Sequence, residues 1–137
     1  MSDSIFSKII RNEIPAQRVY EDEAVIAIMD IAPLAEGHVL VIPKEPAETL
    51  DKLSDKAAAA VGKVLPRIVR AVQRVTGVAE CNILLNNGES AGQAVMHVHF
   101  HVIPKPGNGS GLRKEWKPME VDREKLAEMG RAMARLL

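Results

Sequence analysis

His97, His99 and His101 occupy alternate positions in the stretch His97-Val98-His99-Phe100-His101-Val102-Ile103. Imidazole is the side chain whose unperturbed pKa, about 6.5, lets it act as base, acid or nucleophile near neutrality. Alternation with period two predicts a strand in which the three rings share one face and Met96, Val98, Phe100 and Val102 turn into the core. Neighbouring rings would stand about 6.6 Å apart along such a strand and the outer pair about 13 Å apart. One zinc takes two adjacent rings at that spacing but not all three, so a metal centre would need a ligand from elsewhere. A lone strand histidine is ordinarily a packing residue; three in strict alternation are not explained by packing.

The rest of the chain supplies elements to hold this row. Ile5, Phe6, Ile9 and Ile10 fall at helical spacing over residues 4–11, a short amphipathic segment that Pro15 ends. Arg18 to Glu21 and Ala24 to Asp30 read as two strands of a hairpin around Glu21-Asp22-Glu23. Asp30 ends the second strand before Ile31-Ala32-Pro33, a usual place for a turn initiator. His38 leads into Val39 to Pro43, a continuous apolar run suited to a central strand covered on both faces.

Ser54 to Thr76 is the long helix, with Val61, Val64, Leu65, Ile68, Val69, Val72 and Val75 on its apolar face, Ser54 as N-cap and Gly77 as stop. Pro66 lacks the N–H that would bond back to Gly62 and predicts a kink there, with Gly62 easing the crowding. Glu80 to Asn86 reads as a strand with Asn86 still on it, and Asn87-Gly88 as a turn toward the histidines. Ala91-Gly92-Gln93-Ala94-Val95 is a glycine-containing approach whose backbone N–H groups suit phosphate oxygens. Beyond Pro104, Lys105 to Gly111 is a loop, and Asp122 caps a last helix with Leu126, Met129, Met133 and Leu136 or Leu137 along one face. Trp116, the only tryptophan, either closes over a base or a partner protomer or simply packs.

Composition bounds the answer. The chain has 137 residues, 47% hydrophobic and 26% charged, which suits one domain over 1–137 with a real core. Eighteen basic and eighteen acidic residues cancel, so no nucleic-acid or membrane-surface footprint is expected. No apolar run approaches the roughly 20 residues that span a bilayer, and Met1-Ser2-Asp3-Ser4 lacks a signal-peptide pattern. The single cysteine, Cys81, excludes an internal disulfide and reads as a buried strand thiol. The expected location is cytoplasmic.

The histidine stretch resembles the signature of the histidine triad superfamily of nucleotide hydrolases and transferases, in which three histidines alternate with apolar residues. Asn86 to Val95 resembles the segment that leads into that signature. Ser4 to Ile10, Glu13-Ile14-Pro15-Ala16, Tyr20-Glu21-Asp22, Asp30 to Pro33 and Gly37 to Lys44 resemble the same family in the same order. The likeness covers most of residues 4–104 and is looser over the loop and helix of 105–137. All four histidines of the chain, His38 included, fall on positions that the family uses.

The resemblance implies an α+β fold, an antiparallel sheet of about five strands crossed by the long helix, pairing into a two-fold homodimer. It makes His99 the nucleophile of a covalent nucleotidyl-histidine and His101 the donor to a phosphate oxygen or the leaving group. His97 and His38 would buttress them. It sets Asp30 against ribose hydroxyls and Ile5, Phe6 and Ile9 against a purine, with Ile28, Ile31 and Asn86 as further nucleotide contacts. Gly92, Gln93, Ala94 and Val95 would surround the phosphate. Neutral imidazole suits attack on a negatively charged phosphoryl group because no like charges meet. No cofactor is implied, and adenine is the expected base.

Three departures qualify the likeness. Ser4 and Ser7 stand where many relatives carry Cys-x-x-Cys, and Pro46 where they carry a histidine, so the structural zinc site of those relatives is expected to be missing. Ala94 stands where several subfamilies have serine or threonine. Within the family, the implied activity is hydrolysis of nucleoside phosphoramidates or related adenylyl compounds. The alternatives are a dinucleoside polyphosphate hydrolase and a nucleotide-binding regulatory protein with vestigial turnover. The full triad speaks against a uridylyltransferase.

Overall fold

The computed structural model describes residues 3–137; Met1 and Ser2, part of the N-terminal reading above, lie outside them. Five antiparallel strands form one sheet in the order β1-β2-β3-β5-β4, the α+β architecture expected. They are β1 (Arg18–Glu21), β2 (Val25–Met29), β3 (Val39–Pro43), β4 (Cys81–Leu84) and β5 (Phe100–Pro104). Tight register links the centre: Ile28 lies opposite Leu40, and Leu40 opposite His101.

Alternation along the central strands sorts their side chains to two faces. Val25 and Ala27, Val39 and Val41, and Val102 form one buried cluster with Val61, Val64, Ile68 and Val72 of the long helix α2 (Asp55–Thr76). Ile26, Ile28, Leu40 and Ile42 face the other way, under Phe6 and Ile9 of the short helix α1 (Ile5–Ile10). Each such aliphatic side chain, once fully buried, contributes about 1.5–3 kcal/mol. Both faces of β2 and β3 are therefore dry, which is why these strands read as unbroken apolar runs.

The caps of α2 are those expected. The Ser54 hydroxyl accepts from the Ala57 N–H, and Gly77 closes the helix in the left-handed conformation at φ 72°. The expected role of Gly62 is corrected. The helix runs through Pro66, which is exposed, and a Cβ built on Gly62 meets nothing within 4 Å. Cys81 is half-buried rather than buried, because β4 is an edge strand covered on one side only. Burial still pushes its thiol pKa up. Among the described residues, no helix is long and apolar enough to cross a membrane.

The chain ends in α3 (Arg123–Ala134), capped by the Asp122 carboxylate, which accepts from the Glu124 and Lys125 N–H groups. None of its residues is buried.

Candidate functional site

The histidine row is not the single strand expected from alternation. Only His101 lies on β5; residues 96–99 approach the sheet without joining it. The reason lies at Pro43, the last residue of β3. Its carbonyl accepts from the His97 imidazole Nε2–H at 2.8 Å, and the Val98 N–H turns away to the Ala47 carbonyl at 2.9 Å. Met96, expected in the core, is consequently exposed, whereas Val98 and Val102 are buried as expected. The bend draws the rings together: His99 and His101 have centroids 5.0 Å apart, and His101 and His38 5.1 Å.

Hydrogen bonding fixes which nitrogen of each ring carries a proton. His99 Nδ1–H donates to the His97 carbonyl at 2.7 Å, leaving the Nε2 lone pair free. Phe6 meets the His99 ring edge-on at 4.9 Å and restrains its rotation. The Leu34 N–H donates to His38 Nδ1 at 3.1 Å, so the His38 proton must sit on Nε2. That Nε2–H donates to His101 Nδ1 at 2.9 Å, which leaves the His101 proton on Nε2. A free lone pair on His99 thus stands beside an N–H donor on His101. His97 keeps one buried nitrogen, Nδ1, without a partner among the described residues.

Electrostatics keep this set neutral. Burial lowers the pKa of His38, His97 and His99. His101 is pushed down to about 4, first by burial and then by the neighbouring His99 and His38. The Asp30 carboxylate acts in the opposite sense on His38, His99 and His101. Its Oδ2 lies 3.4 Å from His38 Nε2, while its Oδ1 accepts from the Ala32 N–H as an ordinary turn initiator would. Asp30, His38 and His101 bring potential metal-ligand atoms within 4.8 Å of one another. Two of those atoms already face each other in the His38–His101 hydrogen bond, so a metal ion there would have to replace it.

Beside the rings opens a cavity of about 380 Å³, within the range of small-ligand pockets. Ile5, Phe6, Ile9, Ile28, Asp30, Ile31, Ala94, Val95, His99 and His101 all line it, ten of the fifteen residues singled out from the sequence. It is apolar along the α1 side and polar where Asp30, His99 and His101 meet. The Ala94 and Val95 N–H groups have no acceptor among the described residues.

The other five are elsewhere. His38 and His97 lie behind His101 and His99, hydrogen-bonded to them and outside the cavity lining. Asn86 lies beyond the end of β4, not on it as expected, and its amide donates to the Gly92 carbonyl at 3.4 Å. Gly92, at φ 100°, shapes this loop rather than lining the cavity. The Gln93 side chain is buried and fully engaged: Oε1 accepts from the Gly88 N–H, and Nε2 donates to the Glu48 and Val95 carbonyls. It braces the loop and does not reach the cavity.

Sequence reading missed Ile14, Ala16 and Leu40 in the cavity wall and the Leu34 N–H behind His38. Leu40 was findable from alternation along β3, since it shares the face of Ile28 and His101. A loop N–H such as that of Leu34 leaves no mark in side-chain pattern.

Comparison with known proteins bears on the family and the fold. The family model described as "HIT domain" matches residues 11–108. An adenosine 5'-monophosphoramidase of Schizosaccharomyces pombe is 41% identical over 126 residues, covering 92% of each chain. A crystal structure of a HIT family protein from Bacillus subtilis superposes with a TM-score of 0.94 at 39% identity, covering 99% of this chain and 98% of that one. One from Bacillus anthracis gives 0.95 at 37% identity, with the same coverage. With the family match spanning residues 11–108 and its fold superposing on both structures, this chain belongs to the HIT domain family.

Proposed function

We propose that this protein hydrolyses purine nucleotide conjugates at the α-phosphate, nucleoside phosphoramidates foremost, through a nucleotidyl group carried on His99. The observation that carries this reading is the pair of fixed tautomers: a free Nε2 lone pair on His99 beside an Nε2–H on His101, both at a nucleoside-sized cavity. His99 Nε2 attacks phosphorus, forming an N–P bond as the bond to the leaving group breaks. The leaving nitrogen takes the Nε2 proton of a His101 that has bound a second proton beside the phosphoryl charge, so His101 returns to neutral imidazole. Water then attacks the nucleotidyl-histidine and returns a proton to His101, releasing the nucleoside monophosphate and restoring His99.

Burial and neutral neighbours suit the free site to an anionic substrate. A bound phosphoryl group raises the affinity of His101 for a proton at the moment when a proton donor is needed. The Ala94 and Val95 N–H groups are placed to stabilise charge on the phosphoryl oxygens. Asp30 at the cavity rim fits a pair of ribose hydroxyls, and Phe6, Ile9 and Ile28 fit a purine face. The name of the S. pombe relative supports a phosphoramidate substrate and an adenine base. The working unit is read as a homodimer: β4 leaves one edge of the sheet unpaired, with Ile83 half-exposed along it.

Phosphorus NMR of an adenosine phosphoramidate and a diadenosine polyphosphate, each incubated with the protein and excess EDTA, tests the reading. The phosphoramidate should be cleaved preferentially. Preference for the dinucleotide would substitute the polyphosphate hydrolase reading, and binding of adenosine monophosphate without turnover would substitute the regulatory one. His99→Ala should abolish turnover while nucleotide affinity stays within about tenfold. Full activity in that variant would end the assignment.

A further inference from the structure

Of residues 85–96, which carry the chain from β4 to the histidines, Gln93 alone is buried. Burying an amide is unfavourable unless its donors and acceptor are matched, and here all of them are. Oε1 accepts the Gly88 N–H at 2.7 Å, while Nε2 donates to the Glu48 carbonyl at 2.6 Å and to the Val95 carbonyl at 2.9 Å. With two carbonyls facing the nitrogen and an N–H facing the oxygen, the amide has one orientation.

The two carbonyls matter for what is fixed beside them. A peptide unit is planar, and its C=O and N–H point in opposite directions, so a bond to one aims the other. The Val95 carbonyl also accepts the His97 N–H at 2.9 Å, which orients the peptide plane entering His97. The Ala47 carbonyl, one residue before Glu48, accepts the Val98 N–H at 2.9 Å, which orients the plane leaving His97. The other side of that second plane is the His97 carbonyl, and it meets His99 Nδ1 at 2.7 Å. The single NH2 group of Gln93 thus ties together the two stretches of backbone that hold His97 before and after its Cα.

A second amide joins the same two segments farther out. Asn87 Oδ1 accepts the Leu50 N–H at 2.7 Å, and Asn87 Nδ2 donates to Asp51 at 3.4 Å. Asn87 is exposed and bonds neither to Val95 nor to Glu48. It supplies the control: a bridge between the same loops that leaves the peptide planes of His97 alone.

We propose that Gln93 is a positioning residue for the nucleophile: by clamping the Val95 and Glu48 carbonyls it aims the His97 carbonyl at His99 Nδ1, and so keeps the attacking lone pair on Nε2. This rests on the reading of His99 as nucleophile. Gln93 lies outside the cavity lining and acts through His97. Without the clamp the plane leaving His97 is free to turn, and the Nδ1 proton loses its acceptor. The ring then also takes the tautomer in which Nε2 carries the proton and cannot attack.

Steady-state kinetics on an adenosine phosphoramidate, together with nitrogen-15 NMR of the imidazoles, test this in the full-length protein. Gln93→Met keeps the length of the side chain and removes its hydrogen bonds. It should lower kcat about a hundredfold, with KM within about threefold of wild type. The hydrogen-bonded Nδ1–H resonance of His99, identified by its loss in His99→Ala, should move or broaden in the same variant. Asn87→Ala should leave both readouts at their wild-type values. Gln93→Glu retains the acceptor for Gly88 and loses the pair of donors. It should reproduce both changes with wild-type circular dichroism, which answers for a Gln93→Met chain that fails to fold. Wild-type kcat in both Gln93 variants, an equal loss in Asn87→Ala, or a lowered kcat with the His99 resonance unmoved would overturn the proposal. A raised KM at wild-type kcat would overturn it too, making Gln93 a substrate contact. If the wild-type protein turns over no nucleotide conjugate, the hydrolase reading falls, and the His99 resonance alone decides whether the clamp stands.

Discussion

Acidification should destabilise this protein through its histidines before its carboxylates titrate. In the folded chain His101 binds its proton only near pH 4, whereas an unfolded histidine does so near its model value of 6.5. The folded value is depressed, so the unfolded state takes up the proton first. The stability that a neutral His101 contributes is whole above pH 6.5 and is lost progressively as the pH falls toward 4. At about pH 5 the chain is about 1.5 pKa units into that window, and at about 1.4 kcal/mol per unit the loss is about 2 kcal/mol. His38, His97 and His99 are lowered too, so their losses add with the same sign. Ordinary carboxylates titrate near about 4, which leaves the range above about pH 5 to the histidines. Urea denaturation followed by circular dichroism, at one protein concentration and between about pH 7.5 and about pH 5, reads this loss. His101→Asn removes the His101 share and should flatten the profile by about 2 kcal/mol over the same range. A wild-type protein equally stable at both ends of the range, or a variant with the wild-type slope, would refute the reasoning.

Two further outcomes follow from other parts of the fold. Gly37 has φ 93°, and a Cβ there would stand 2.4 Å from Thr76 Cγ2; Gly37→Ala should lower stability by about 2–4 kcal/mol, measured by urea denaturation, and an unchanged midpoint would show that the α2 terminus yields freely. Ser4 and Ser7 are engaged in capping α1, their hydroxyls 3.2 Å apart with Ser4 accepting the Ser7 N–H, and Pro46 is exposed. Elemental analysis should therefore find no stoichiometric structural zinc, and one zinc per chain would overturn that expectation.

The elements were legible because local chemistry governs them. Ser54, Gly77 and Asp122 cap helices through their own side chain or their own backbone freedom, and the apolar runs of β2 and β3 reflect burial on both faces. The cavity wall was legible as far as it rests on the resemblance at Ile5, Phe6, Ile9, Ile28 and Asp30. Asn86 and Gln93 were harder, because amide side chains bond equally well to a ligand or to their own loop, and only the folded loop shows which.

Residue types and spacing determined that His97, His99 and His101 would lie close together. That His38 would join them, and that a five-strand sheet crossed by the long helix would carry them, followed from the family resemblance. Period-two alternation is a property of the backbone, and an unbroken apolar run demands cover wherever it lies. Tertiary structure alone decided what each imidazole can do. The Pro43 carbonyl bends the row out of the strand, the His97 carbonyl frees the His99 lone pair, and the Leu34 N–H, far along the chain, sets the proton on His101 by way of His38. A tautomer is chosen by whichever donor or acceptor arrives opposite each ring nitrogen. For His97 on Pro43 and His38 on His101 that arrival is long-range; for His99 on His97 and Leu34 on His38 it depends on how the local backbone bends, which residue type does not record.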